Sequence, residues 1–204
     1  MRLVEDLVDE PGTLLIIGPS KAKVTGGSPS PAARADWPEE LLRAREELLP
    51  RSAVDDRTRL PAWQRYNGHF YRHVGDALPD AAASGRLLIL SGGYGVARAD
   101  EPIAFYDRKL RLRDWPPGTL EAAIQYEVHR LGARRVLGFG SASADYAKLL
   151  RRVPWEVEAT LVTVDFHGGG AQVEVPKRLA HAFAAAWRRE PGRRPPGVVA
   201  VPLS

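Results

Sequence analysis

The chain has 204 residues, 44% of them hydrophobic and 26% charged, the composition of an ordinary globular domain rather than a disordered or fibrous one. It has no cysteine, which excludes disulfides, thiolate metal sites and cysteine nucleophiles. The net charge of +4 permits a nucleic-acid partner without requiring one. Only five of the 29 basic residues are lysine. Arginine suits phosphate recognition, and a GC-rich coding bias produces the same excess. No apolar run approaches the roughly 20 residues that span a bilayer. The opening MRLVEDLVDEPG carries acids where a signal peptide has a basic start and an apolar core. The expectation is one cytoplasmic domain over residues 1–204, with no membrane partner.

Thr13 to Ile17 is a short apolar run ending at Gly18-Pro19, the pattern of a buried strand. The Ser20-Lys21-Ala22-Lys23 that follows puts a hydroxyl, amines and free backbone amides at its carboxyl end, a place for a phosphate or carboxylate. A Walker loop is ruled out by spacing. Residues 26–36 begin with GGSPSP and are expected to form a mobile loop. Asp36 is placed to cap a helix with Leu41, Leu42, Leu48 and Leu49 on one face, stopped by Pro50. The alternating charges of Arg51 to Arg59 suggest a surface loop. Residues 61–75 predict a helix with Trp63, Tyr66, Phe70 and Val74 on one face, although Asn67-Gly68 conflicts with it by about 1 kcal/mol. His69 and His73 have the spacing of two ligands on a helix, but no glutamate completes a metal motif. No metal or cofactor is called for.

Leu87 to Leu90 predicts a second buried strand. It ends in Ser91-Gly92-Gly93-Tyr94-Gly95, where three glycines allow a sharp turn and close approach to a ligand. Tyr106-Asp107-Arg108-Lys109 follows within about a dozen residues. Ligands bind at the carboxyl ends of strands in open α/β sheets, so this loop is the expected centre of the site. Further on, Thr119 caps a helix to about Leu131, and Arg134 to Gly140 predicts a strand running into a helix over Ser141 to Leu150. The same Gly138-Phe139-Gly140…Ser143-Ala144 also fits a helix-hairpin-helix turn, which binds duplex phosphates through backbone amides. Glu156 to Val164 predicts a strand, Gln172 to about Glu190 a helix ended by Pro191 to Pro196, and Val198 to Val201 a last strand. Alternation of strands and helices implies an α/β fold with a mixed, partly parallel sheet flanked by helices.

Four pieces in order resemble the YaaA family of bacterial peroxide-stress proteins. Leu15 to Lys21 is similar to its opening strand and S-P-A-K, with the serine shifted so that Lys21 carries over. Tyr66 to Tyr71 is similar to Y-x-G-x-x-Y. Leu90 to Gly95, with Tyr106, is similar to L-S-G-x-Y-G and a later P-Y, Phe105 standing for the proline. Ala142 to Tyr146 is similar to A-S-x-E-Y. These motifs span about 14–150, and the family's K-x-A-R-G has no counterpart. The resemblance implies a YaaA-like α/β domain, a basic cleft, DNA binding and a role in oxidative stress.

Two functional expectations follow. In the first, a nucleic-acid-binding protein, Arg65, Arg72, Arg98, Arg108, Arg111 and Arg113, with Lys109, contact phosphates, and Tyr66, Tyr94 and Tyr106 stack on bases. In the second, an enzyme acts on a nucleotide, nucleoside or nucleobase derivative, by glycosidic cleavage or base transfer. Lys21, Tyr66, Gly68, Ser91, Gly92, Tyr94, Gly95, Lys109 and Ser143 then bind the substrate, in a pocket formed by the Ser91–Gly95 loop and Tyr106. Tyr106, Asp107 and Asp145 are the catalytic candidates, with Asp100 and Glu101 as further carboxylates for acid–base work.

Overall fold

Four strands form the parallel centre of a six-stranded sheet: β1 (Thr13–Ile17), β3 (Leu87–Ser91), β6 (Arg135–Phe139) and β7 (Glu158–Val164). They are almost continuously apolar because helices cover both faces. This computed structural model describes residues 9–29, 36–190, 193 and 195–204. Residues 30–35 of the predicted mobile loop, the opening eight residues, and Pro191, Gly192 and Arg194 of the predicted helix terminator lie outside them. Antiparallel strands β4 (Gly95–Arg98) and β8 (Val198–Pro202) form the two edges, giving the order β4-β3-β1-β6-β7-β8.

Successive side chains of a strand point to opposite faces, and β1 divides accordingly. Leu15 and Ile17 join one core with Phe139, Val162 and Phe183, whereas Leu14 and Ile16 join the other with Leu41, Leu120 and Leu150. The first face is covered by α3 (His69–His73), α4 (Ala77–Ala83) and α7 (Ala171–Trp187). The second is covered by α1 (Glu39–Leu48), α5 (Thr119–Arg130) and α6 (Asp145–Arg152). From β1 the chain crosses to β3 on one side, then returns past β1 to β6 on the other. The strand order therefore reverses between β1 and β6, the topological switch point of an open α/β sheet.

Several local expectations are corrected. Residues 55–61 form a strand, β2 (Asp55–Pro61), paired with β5 (Pro102–Phe105) in a separate two-stranded sheet. Part of the predicted mobile loop is held as well: Ser28 exchanges both backbone hydrogen bonds with Arg59. The helix predicted over 61–75 breaks into α2 (Ala62–Arg65) and α3 at Tyr66-Asn67-Gly68, the point of the local conflict. Asp36 does not cap α1; its carboxylate accepts a hydrogen bond from the Tyr126 hydroxyl at 2.6 Å. Residues 135–150 run strand-turn-helix, which removes the helix-hairpin-helix alternative. Glu101 lies in a buried ion pair with Arg45 at 2.7 Å and also accepts from the Trp37 indole at 2.9 Å, so it ties α1 to the β4–β5 turn and is no free acid.

Candidate functional site

A cavity of about 550 Å³ opens at the carboxyl ends of β1 and β6, the size of a small-molecule site. Residues 18–22 after β1 and 139–141 after β6 form one side, α3 and the first turns of α7 the other, and Tyr146 lies between the strand ends. Glycine is needed at both strand ends because of that ring. A Cβ on Gly18 would sit 3.1 Å from the Tyr146 ring, and one on Gly140 would overlap it. The Tyr146 hydroxyl accepts from the Ser141 amide at 3.2 Å, which anchors the ring, and burial raises its pKa.

The opposite wall is pinned by Ser20. Its hydroxyl accepts from the Gly68 amide at 3.1 Å and donates to the Ala22 carbonyl at 2.5 Å. A Cβ on Gly68 would come within 2.5 Å of the Ser20 Cβ, so the glycine that breaks the helix also lets α3 approach β1. The Tyr71 hydroxyl donates to the Gly18 carbonyl at 2.8 Å. Phe139 and Leu179 add apolar surface, and Lys21, Arg72 and Gln172 bring polar groups to the rim. Among the described residues the Arg72 guanidinium meets only the His69 ring, at 3.3 Å. The arrangement suits a ligand with a flat apolar body and an anionic end.

The Ser91–Gly95 loop is a different kind of place. Ser91 and Tyr106 are both 0% exposed, and neither they nor the loop glycines line the β1–β6 cavity. Tyr66 and Tyr106 hydroxyls meet at 2.7 Å, the Tyr106 hydroxyl meets Ser91 Oγ at 2.8 Å, and Ser91 Oγ accepts from the Tyr94 amide at 3.0 Å. Burial raises the pKa of both Tyr66 and Tyr106. The glycines make room for protein rather than ligand. A Cβ on Gly92 would meet the Arg108 carbonyl, one on Gly93 would lie 2.8 Å from the Tyr106 ring, and one on Gly95, at φ +70°, would lie 3.0 Å from Trp115. Tyr94, expected to stack on a base, is buried, and its hydroxyl oxygen accepts from the Ala104 amide at 2.9 Å. The pocket expected from this loop is thus filled by the chain's own atoms.

Lys23 is the residue the sequence reading passed over. Its amine lies 4.5 Å from the Tyr106 ring centroid and 6.0 Å from that of Tyr66, a cation–π placement. Burial lowers its pKa, with the Asp107 charge opposing the shift. Lys21, chosen from sequence, is exposed at the cavity rim. Both lysines stand in the Ser20-Lys21-Ala22-Lys23 run after β1, and spacing alone does not say which of them is drawn inward.

The remaining candidates disperse. Asp107 and Lys109 are exposed, and Asp145 lies in another depression, bonded to Lys148 at 3.1 Å. Ser143 is exposed beside Ser141. Arg65 is fully buried and donates to the Val24, Gly26 and Ile103 carbonyls, tying the 22–26 segment to β5, so it is closed to phosphate. Arg98 pairs with the buried Glu127, and Arg108 with Asp114 at 2.8 Å. Arg111 and Arg113 line the depression that holds Asp145, and only Arg72 reaches the β1–β6 cavity. Among the described residues no group of three or more His, Asp and Glu side chains is placed to hold a metal ion, and no helix is long and apolar enough to cross a membrane. No protein-family model matches the chain, and a search of curated proteins finds no match.

Proposed function

We propose that the chain binds a nucleotide, nucleoside or nucleobase derivative in the β1–β6 cavity. The observation that carries this reading is the cavity's position and lining: it sits where strand order reverses, with Tyr146 between the strand ends and Lys21 and Arg72 at the rim. A base stacks on the aromatic surface, and the cations meet a phosphate. The reading is one of binding. Glycosidic cleavage asks for a carboxylate at the reacting bond, and among the described residues the cavity lining contains neither Asp nor Glu. A YaaA-like nucleic-acid-binding role in peroxide stress draws less support, because the arginines assigned to phosphates are buried, paired or spread over separate surfaces.

A thermal-shift series of nucleotides, nucleosides, bases and short oligonucleotides tests the proposal. A ligand at 100 times its Kd stabilises the native state by about 2.7 kcal/mol. The expected result is a rise in Tm with a mononucleotide or nucleoside, cut to about half by Tyr146→Leu and retained in Ser91→Ala. Stabilisation by oligonucleotides alone, or a shift insensitive to Tyr146→Leu, overturns it.

A further inference from the structure

We infer that the depression between the Leu112–Asp114 turn, the start of α5 and the outer face of α6 is a second binding site, for the phosphate or diphosphate group of a small molecule. Its volume is about 770 Å³, and Arg111, Arg113, Lys148 and Arg152 line it. Arginines elsewhere in the fold, such as Arg45, Arg86, Arg98, Arg108 and Arg130, are matched to carboxylates. Here, among the described residues, the side chains of Arg111, Arg113 and Arg152 make no hydrogen bond or ion pair.

The local carboxylates do not balance them. Asp145 already accepts from Lys148 at 3.1 Å and from the Leu112 amide at 3.4 Å. Asp145 also interacts with the Arg113 charge, so two carboxylates, Asp145 and Glu121, stand against four cations, Arg111, Arg113, Lys148 and Arg152. Like charges gathered on one concave surface repel, and an anion with several oxygens relieves that repulsion through charge-assisted bonds.

Two further features point to a ligand rather than to a merely solvated rim. Trp115 lines the same depression and is 5% exposed, yet its indole Nε1 is buried without an acceptor. Among the described residues it shares this state with few other side-chain atoms, Arg65 Nε and Thr163 Oγ1 among them. In addition, α5 starts here at Gly118 with no side-chain cap; its Thr119 amide donates to the Pro116 carbonyl at 3.2 Å, and the helix dipole favours negative charge at this end. The exposed Pro116 and Pro117 in the same lining give an apolar edge for a body attached to the phosphate, which favours an organic phosphate over the free ion.

This site is independent of the β1–β6 cavity and stands or falls separately. The test is a calorimetric titration at low salt with inorganic phosphate, pyrophosphate and a nucleoside diphosphate, on the wild-type chain and on the double variant Arg113→Ala/Arg152→Ala. These side chains are exposed, so the fold is expected to persist, which an unchanged Tm confirms. Pyrophosphate or the nucleoside diphosphate is expected to bind, with affinity falling at least tenfold in the double variant and recovering in Arg113→Lys/Arg152→Lys. Tyr146→Leu leaves pyrophosphate binding unchanged, which separates this site from the first. No binding of any probe at millimolar concentration, or binding equal in wild type and double variant, overturns the inference. So does binding of duplex DNA without binding of pyrophosphate.

Discussion

Two places at the strand ends of this sheet set glycines against tyrosine rings, and they end in opposite states. At β3, Gly92, Gly93 and Gly95 are met by the Arg108–Leu110 backbone, Tyr106 and Trp115, and the Ser91–Tyr106–Tyr66 hydroxyls bond to one another. At β1 and β6, Gly18 and Gly140 admit one ring, Tyr146, and beyond it the space stays open as a cavity. A glycine shows that something lies close to the backbone. Whether that something is protein or ligand depends on which later segment returns to fill the gap. Residues 106–110 return over β3, while the equivalent ground over β1 and β6 is left between α3 and α7.

The sharpest way to break the contrast is Gly92→Ala. The added Cβ meets backbone, which cannot rotate away, so a destabilisation of about 3 kcal/mol is expected in chemical denaturation. Next is Tyr106→Phe, which strands the Ser91 and Tyr66 hydroxyls in the core and costs about 1–3 kcal/mol, with ligand affinity unchanged in a protein that still folds. Tyr146→Leu has the opposite profile. It weakens nucleotide binding roughly tenfold, the loss of about 1.4 kcal/mol of stacking, with a smaller effect on stability.

The smallest effect is a pH dependence. Burial lowers the Lys23 pKa below the 10.5 of an unhindered lysine. Between those two values the unfolded chain holds more protons than the folded one, so stability rises with pH across that window. Denaturation midpoints measured from neutral to alkaline pH are expected to show a shallower rise in Lys23→Met than in the wild type.

The fold class was legible because the central strands are short, continuous apolar runs ended by glycine, as in Thr13–Gly18 and Leu87–Gly92. The helix over 61–75 carried its own warning at Asn67-Gly68, and the chain breaks there. Strand β2 was hidden because DDRTRLP has no apolar alternation; it pairs with β5 and, at Arg59, with Ser28, outside the main sheet, and needs no buried face. The site was half legible. Gly68 and Lys21 reach the cavity, but Tyr146 was read only as part of a motif, since a pattern of residue types does not say which ring spans two strand ends. Arg65 misled for a related reason: its two terminal nitrogens donate to three carbonyls from distant segments, which no local pattern reveals.

The most direct test of the account is an amide NMR titration of the wild-type chain with the nucleoside monophosphate or nucleoside that gives the largest thermal shift. The account predicts that chemical-shift changes concentrate at Gly18, Ser20 to Ala22, Gly140, Ser141, Ala171 and Gln172, with the Ser91 to Gly95 amides unmoved. Changes centred on Ser91 to Gly95, with residues 18–22 and 140–141 silent, would contradict it.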